Sequence, residues 1–235
     1  MVLNLELNVV EIKQETPDVK SFKLDLGMQT VDYKPGQYFM VELDIESDEK
    51  IKPLSIASSP TEEFILICTK SGESDFKHKL DSLKVGDKIK VKGPMGIFVL
   101  KEDAKEIMFL SGGIGVTPFR NMIKYASDNK LPIKMTLLYS NKTPADIVFE
   151  DQWHSFEKEN PNLKVIHTIT NAEGDDWQGR KGRIDEKMIK ENCSDINNAV
   201  FYICGPPGMV DGLTNLLKSM NVPQQNIKIE KFEGY

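Results

Sequence analysis

The sequence has few cysteines, no excess of positive charge and no long apolar run. Its three cysteines, Cys68, Cys193 and Cys204, are too few and too scattered for a disulfide framework or a Cys-x-x-Cys metal site, so no metal is expected. The chain carries 30 basic and 36 acidic residues, which gives a net charge of -6. This balance argues against nucleic acid as the main partner, because phosphate binding relies on clustered cations.

No apolar segment approaches the ~20 residues that a membrane helix needs. The N-terminal stretch MVLNLELNVVEIKQ lacks the basic start and apolar block of a signal peptide. We therefore expect a cytoplasmic protein without a membrane span. With 235 residues, of which 40% are hydrophobic, the chain can form one large domain or two small ones.

The first hundred residues alternate apolar and polar side chains with a period of two, which is typical of half-buried strands. Turn signals such as Lys34-Pro35-Gly36 and Val85-Gly86-Asp87 separate the segments. The pattern predicts an antiparallel barrel or sandwich, with one helix around SDFKHKLDSL. The six predicted strands are LNLELNV, SFKLDL, QYFMVEL, KPLSIAS, EFILICTK and DKIKVKG.

From about residue 101 the pattern changes to strands that alternate with helices, which predicts a doubly wound parallel α/β sheet. The predicted strands are EIMFLSGG, IKMTLLYS, LKVIHTIT, AVFYICG and NIKIEKF. The predicted helices are TPFRNMIKYASDN, PADIVFEDQWHSFEKEN, DEKMIKEN and PPGMVDGLTNLLKSM. We expect domains of residues 1–100 and 101–235.

A glycine-rich turn, SGGIGVTPFR, follows the first strand of the second domain. Gly112, Gly113 and Gly115 allow the backbone to approach a phosphate, and the following helix presents its positive end. The third glycine of the G-x-G-x-x-G fingerprint is replaced by Pro118. On its own, the turn is equally compatible with a tight packing turn and with a nucleotide site.

The segment CGPPGM ends the fourth strand of that domain. Cys204 at the strand end can stand at the mouth of a ligand site. The alternative is a buried small residue before a helix that begins with proline, which is how most free cysteines behave.

The order of these motifs is more specific than any one of them. The segments YKPGQY, KPLSIASSP, GESD, GPMGIF, SGGIGVTP, DWQGRKGRID, CGPPGM and EKFEGY follow one another in the chain. In this order they resemble the ferredoxin–NADP reductase superfamily across essentially the whole sequence. The resemblance implies an FAD-binding Greek-key β-barrel followed by an NAD(P)-binding α/β domain, without an iron–sulfur domain.

In that family an Arg-x-Tyr-Ser/Thr strand contacts FAD, and here the motif reads Lys52-Pro53-Leu54-Ser55. The resemblance implies that Lys52 supplies charge to the pyrophosphate through a single ammonium group, without the bidentate hydrogen bonds of an arginine guanidinium. Leu54 would cover a flavin face, and the Ser55 hydroxyl would bond near flavin N5. An aliphatic residue before the serine also occurs in the electron-transfer subunit of some dihydroorotate dehydrogenases.

Two further segments match FAD-binding positions of the family. The loop of Gly72, Glu73, Ser74 and Asp75 would offer backbone N–H groups to the pyrophosphate; the alternative for the two acidic side chains is a capped surface helix. At the C-terminus, Phe232 or Tyr235 would stack on the flavin, depending on the alignment, and strand phase favours Phe232. Glu230 would relay protons.

Nicotinamide binding would use Gly112 to Thr117, with Pro118, for the pyrophosphate. Cys204, Gly205 and Pro206 would lie beside the nicotinamide. NADP-using members commonly place Ser-Arg after the third strand, where this chain has Thr170-Asn171. The cations that the chain does have, Arg180, Lys181 and Arg183 of the segment GRKGR, lie further along and are equally compatible with the cap of a loop. NADH is therefore favoured, with NADPH as the alternative.

These features predict an NAD(P)H-dependent flavoprotein reductase, with Ser55, Cys204 and Glu230 as catalytic residues. Its electrons would pass to a ferredoxin-like or oxygenase component, or to a small acceptor. Two alternatives stay open, an electron-transfer subunit of a larger redox complex and a free flavin or quinone reductase.

Overall fold

The computed structural model describes residues 2–172 and 176–232. The chain divides into two compact units. The first holds the residues up to Leu100 together with Thr117–Tyr125, and the second holds Lys101–Val116 together with the residues from Ala126 onward. The two units do not meet at a single point in the chain, because Thr117–Tyr125 belongs to the first unit although it follows residue 100. The domain bounds 1–100 and 101–235 stay a prediction.

The first unit is an antiparallel sheet of six strands in the order β4-β3-β6-β1-β2-β5. The edge strands meet where the Ala57 N–H donates to the Leu66 carbonyl at 2.8 Å, just beyond the end of β4. This arrangement confirms the predicted Greek-key barrel. The strands are β1 (Leu3–Thr16), β2 (Val19–Asp25), β3 (Tyr38–Glu42), β4 (Ile51–Ser55), β5 (Phe64–Lys70) and β6 (Lys88–Met95).

The alternation of side chains fills the barrel with one face of each strand. Phe22, Phe39 and Ile67 are fully buried in its core. Helix α1 (Asp75–Ser82) adds Phe76 and Leu80 to the same cluster. The barrel therefore has a continuous apolar interior beneath the strand end that carries Ser55.

The second unit is built on a parallel sheet of six strands in the order β10-β9-β8-β7-β11-β12. It confirms the predicted doubly wound α/β fold. The strands are β7 (Glu106–Gly112), β8 (Lys134–Asn141), β9 (Leu163–Ile169), β10 (Arg180–Lys181), β11 (Val200–Gly205) and β12 (Ile227–Lys231). The helices are α2 (Thr117–Asp128), α3 (Glu150–Glu159), α4 (Glu186–Asn192) and α5 (Pro207–Ser219).

Several elements differ from the sequence prediction. Strand β1 runs from Leu3 to Thr16, well beyond the predicted LNLELNV. Strand β4 ends at Ser55 rather than continuing to residue 58. The helix predicted from residue 144 begins only at Glu150, because Pro144–Asp146 forms a 3-10 turn and Phe149 adopts a left-handed φ of 62°. The two-residue strand β10 was not predicted.

No helix in the described part of the chain is long and apolar enough to cross a membrane. Within residues 2–172 and 176–232, no group of three or more His, Cys, Asp or Glu side chains is arranged to hold a metal ion.

Candidate functional site

Ser55 is the last residue of β4 and lies opposite Tyr38 of β3. It is 8% exposed, and its hydroxyl forms no hydrogen bond with any residue that the structure describes. Paired residues of antiparallel strands share a face of the sheet, so the Tyr38 ring stands on the same face as this hydroxyl. Tyr38 was not predicted as a site residue, although it lies one residue before the buried Phe39 in the alternating segment QYFMVEL.

The other residues of the motif take different environments. The Lys52 Nζ lies 3.0 Å from Glu49 Oε1, and both side chains are exposed. Leu54 belongs to the barrel core with 3% of its surface exposed, so it offers a ligand little area in this arrangement. Pro53 is exposed. Of the four, Ser55 presents the unpartnered polar group.

The loop before α1 ends in a helix cap. The Ser74 hydroxyl accepts a hydrogen bond from the Lys77 N–H at 3.4 Å, while Glu73 and Asp75 are exposed. Ser74 thus serves as the N-cap, and the two carboxylates lie on the surface, where carboxylates at a helix start are favourable.

Lys77 is a cation at this loop that the sequence analysis did not single out. A Cβ placed on Gly72 would meet the Lys77 side chain at 2.7 Å, so the lysine stem covers the glycine. Burial lowers the pKa of Lys77, and the charge of Lys70 lowers it further. Two ammonium groups therefore influence this end of the loop.

The glycine-rich turn packs closely against the end of β11. A Cβ on Gly115 would lie 2.4 Å from the Cys204 carbonyl oxygen, which no side chain can satisfy without backbone movement. Gly113 has a φ of +52° and open space around its Cβ position. Close packing against β11 therefore requires glycine at position 115. At Gly113 there is open space beside the backbone, where a ligand could approach.

The Tyr139 hydroxyl of β8 holds the glycine-rich turn through hydrogen bonds. It donates to the Gly113 carbonyl at 2.8 Å and accepts from the Val148 N–H at 3.2 Å. Its ring is fully buried against Trp153. Sequence reasoning treated Tyr139 only as a strand residue, because its partner lies 26 residues away. Thr117 and Pro118 begin α2 directly after the turn, and both are buried.

Cys204 and Glu230 are register partners at the carboxyl ends of β11 and β12. Burial, with the added effect of the Glu230 charge, raises the pKa of the Cys204 thiol well above its ordinary value. Burial also raises the pKa of Glu230 to about 7. The Glu230 Oε2 atom is buried and has no hydrogen-bond partner in the described part of the chain. The pair thus presents a neutral thiol and a carboxyl that titrates near neutrality.

Phe232 follows β12, and its N–H donates to the Gly205 carbonyl at 3.0 Å. This bond extends the pairing of the two strands and holds the backbone of Phe232 beside the end of β11. Tyr235, the other candidate aromatic residue, lies outside the described residues.

A cavity of about 610 Å³ opens at the carboxyl ends of β8 and β9, beside the first turns of α5. Its polar lining includes Ser140, Thr170 and Arg183, and its apolar wall includes Met209 and Leu213. None of the described residues that line it is a carboxylate, and Arg183 has no acidic partner in that part of the chain. By contrast, Arg180 of the same basic segment pairs with Glu191. From the sequence, Arg183 and its neighbouring cations were equally compatible with the cap of a loop, and the structure places Arg183 in the lining of the cavity.

Two family models match consecutive parts of the chain. Residues 6–100 match the oxidoreductase FAD-binding domain, and residues 109–215 match the oxidoreductase NAD-binding domain.

Similar proteins include reductases of several kinds. The glycine betaine monooxygenase reductase subunit of Chromohalobacter salexigens is 27% identical over 232 residues, which cover 95% of this chain and 62% of that protein. NADH-cytochrome b5 reductase 1 of Candida glabrata is 28% identical over 93% of this chain and 80% of its own. The FAD/NAD-binding domain of nitric oxide dioxygenase from Vibrio cholerae has a TM-score of 0.85 at 25% identity, covering 97% of this chain and 98% of that one. The chain spans about 60% of the length of the oxygenase reductase that it matches.

Proposed function

The chain belongs to the ferredoxin–NADP reductase superfamily, and on that premise we propose that it takes hydride from a nicotinamide nucleotide onto FAD and passes the electrons to a separate acceptor. The observation that carries this proposal is the Cys204–Glu230 pair at the carboxyl edge of a parallel sheet, the edge at which such sheets bind ligands. Bound FAD would supply the chemistry of accepting a hydride and releasing electrons.

In the first unit, Ser55 would hold the flavin by donating its free hydroxyl near N5. The fit rests on the hydroxyl of a residue that is 8% exposed and has no side-chain hydrogen bond among the described residues. That hydroxyl is therefore available to a ligand acceptor. Lys52 and Pro53 would contact the same cofactor from β4, with Leu54 beneath them in the core.

The pyrophosphate of FAD would lie against the loop from Gly72 to Asp75. The Ser74 hydroxyl is used as the N-cap, so the contribution of this loop would come from backbone N–H groups at the positive end of α1. Lys77 would add positive charge that the exposed Glu73 and Asp75 do not provide.

In the second unit, the nucleotide would lie along the carboxyl edge of the sheet. The glycine turn of Gly112, Gly113 and Gly115 would receive its pyrophosphate, ahead of Thr117 and Pro118 at the start of α2. The cavity lined by Ser140, Thr170 and Arg183 would receive its adenosine end.

Cys204, Gly205 and Pro206 would stand beside the nicotinamide. Because the thiol is fully buried and its pKa is raised, Cys204 would act as a small neutral wall rather than as a nucleophile. Glu230, whose pKa is about 7, would hold or release a proton at its Oε2 atom at physiological pH. Phe232 would cover the flavin where the nicotinamide lands.

The acceptor is proposed from the relatives. The match to a monooxygenase reductase subunit supports an oxygenase component or a ferredoxin-like protein as the acceptor. Electron transfer within a larger complex and reduction of a small free acceptor are the alternatives. We place this activity in the cytoplasm, because the three free cysteines fit a reducing compartment.

NADH is the favoured donor, and a relative named as an NADH reductase supports it. One observation supports NADPH as the alternative donor. Arg183 and the hydroxyl groups of Ser140 and Thr170 line the cavity, and none of the described residues that line it is a carboxylate, which suits a 2′-phosphate.

Anaerobic titration of the FAD-loaded protein with NADH and with NADPH tests the proposal. We expect bleaching of the visible flavin band at one equivalent of nucleotide. A chain that binds no FAD, or a flavin that neither nucleotide bleaches, would contradict it.

A further inference from the structure

Residues 56–59 follow Ser55 without regular secondary structure, yet Ile56, Ala57, Ser58 and Ser59 are all fully buried. A buried irregular segment keeps its conformation only if specific partners satisfy its backbone groups. The partners of this segment therefore decide where the end of β4 points.

Two neighbouring residues in the first turns of α2 take the two carbonyls that follow Ser55. Asn121 Nδ2 donates to the Ile56 carbonyl at 2.8 Å, and Arg120 Nη1 donates to the Ala57 carbonyl at 2.8 Å. The N–H groups of Ile56 and Ala57 are also bonded, to Gln37 and Leu66. Every backbone polar group of Ile56 and Ala57 thus has a partner.

Arg120 is itself held in place. Its two terminal nitrogens bind the two carboxylate oxygens of Glu62 at 2.9 and 3.0 Å, and its side chain is 6% exposed. The Ser59 N–H donates to the same carboxylate at 2.7 Å. A bidentate guanidinium–carboxylate pair fixes orientation as well as distance, which a lysine cannot do.

We infer that Arg120 and Asn121 are positioning residues for Ser55. Arg120 and Asn121 hold the buried segment of residues 56–59, and this segment keeps the Ser55 hydroxyl oriented toward the flavin. This inference rests on the proposed function for the role of Ser55 itself. Its alternative is that the Arg120–Glu62 pair only stabilises the fold, in which case the local geometry of Ser55 would not depend on it.

The test uses two variants. Arg120→Lys keeps the positive charge but cannot make the bidentate pair with Glu62, and Asn121→Leu removes the hydrogen-bond donor to the Ile56 carbonyl. Hydrogen exchange in the full chain, without added cofactor, should become at least tenfold faster at the amides of Ile56–Ser59. In the FAD-loaded protein, the limiting rate of flavin reduction by NADH should fall about tenfold to a hundredfold, since small misplacements at a reacting centre cost that much. The nucleotide concentration at half-saturation should stay within twofold.

A double-mutant cycle with Ser55→Ala separates positioning from general stability. If Arg120 acts through Ser55, Arg120→Lys should slow the Ser55→Ala protein by less than twofold. Lys88→Gln, which removes the exposed pair with Glu6 in the same barrel, is the control and should change neither exchange at residues 56–59 nor the rate.

Unchanged exchange at Ile56–Ser59 in both variants overturns the inference, whatever the rates show. Equal slowing by Arg120→Lys with and without Ser55 also overturns it. If the wild-type chain binds no FAD, the proposed function fails, and the exchange result alone then decides whether these residues hold the end of the strand.

Discussion

Cys204 and Glu230 lie opposite each other at the carboxyl ends of neighbouring parallel strands, and each group is shielded from water. Burial disfavours both the thiolate and the carboxylate, and the Glu230 charge adds to the effect on the thiol. The strand edge therefore combines a thiol that stays protonated with a carboxyl that titrates near neutrality. Under the proposed function, this asymmetry favours Glu230 as the group that handles protons and Cys204 as a packing residue.

Glu230→Gln should remove a pH-dependent loss of stability. The pKa of the folded carboxyl is about 7, against 4.5 for an unperturbed one, so the native state binds more protons than the unfolded state between these values. Wild-type stability should fall on the order of 2 kcal/mol as the pH rises from 4.5 through 7, and then level off. Urea denaturation at pH 5 and pH 8 measures this difference. The exposed Glu159→Gln is the control, and an equal pH dependence in wild type and Glu230→Gln would contradict the prediction.

Ser55→Ala should slow flavin reduction about a hundredfold while FAD stays bound, because one preorganised donor near a reacting atom has an effect of that order. Anaerobic stopped-flow spectroscopy gives the rate, and gel filtration with absorbance gives the FAD content. Ser82→Ala alters a hydroxyl used only within α1 and should behave like wild type. A Ser55→Ala rate equal to wild type would make this strand end purely structural.

Lys52→Ala should weaken FAD binding severalfold, and Glu49→Gln should not. The exposed Lys52–Glu49 pair contributes little by itself, so releasing the lysine leaves its charge available to a phosphate. Fluorescence titration of the apo-protein with FAD provides both dissociation constants. Weaker binding in Glu49→Gln than in Lys52→Ala would reverse this assignment.

Arg183→Leu should raise the KM for NADPH about tenfold and change the KM for NADH by less than twofold, since a charge-assisted bond of roughly 1.4 kcal/mol corresponds to tenfold. Lys181→Leu is the matched control, because Lys181 is an exposed cation of the same segment that does not line the cavity. Steady-state kinetics with both nucleotides measures the ratio. Equal effects on NADH and NADPH would remove Arg183 from any role in donor choice.

Gly115→Ala should destabilise the second unit by about 1–3 kcal/mol, because its Cβ would lie 2.4 Å from the Cys204 carbonyl oxygen. Gly212→Ala in α5 meets no atom within 4 Å and should stabilise the protein by about 0.5–1 kcal/mol. Chemical denaturation of both variants measures the difference. A neutral Gly115→Ala would show that the turn can move away from β11.

Much of the fold follows from local patterns. Alternation at Phe22 and Leu24 predicted the barrel strands, and the repeated strand–helix order predicted the parallel sheet, because burial of one face sets the period of each element. The glycines of SGGIGVTP marked a tight turn between β7 and α2 correctly. Predicting β4 through residue 58 was wrong, because the Ile56 and Ala57 carbonyls accept from the side chains of Asn121 and Arg120 rather than from a neighbouring strand.

Periodicity and motif order along the chain were enough to predict the two fold types and the residue types available for chemistry. The environment of each residue could not be predicted in this way, because it depends on packing between distant elements. Glu62 and Arg120 are 58 positions apart, yet they form one buried pair. Arg183 reaches a cavity while Arg180 pairs with Glu191. Glu230 titrates near neutrality because of its burial beside β11. Local sequence fixes dihedral preferences and periodicity, whereas charge partners, burial and pKa depend on which distant elements meet.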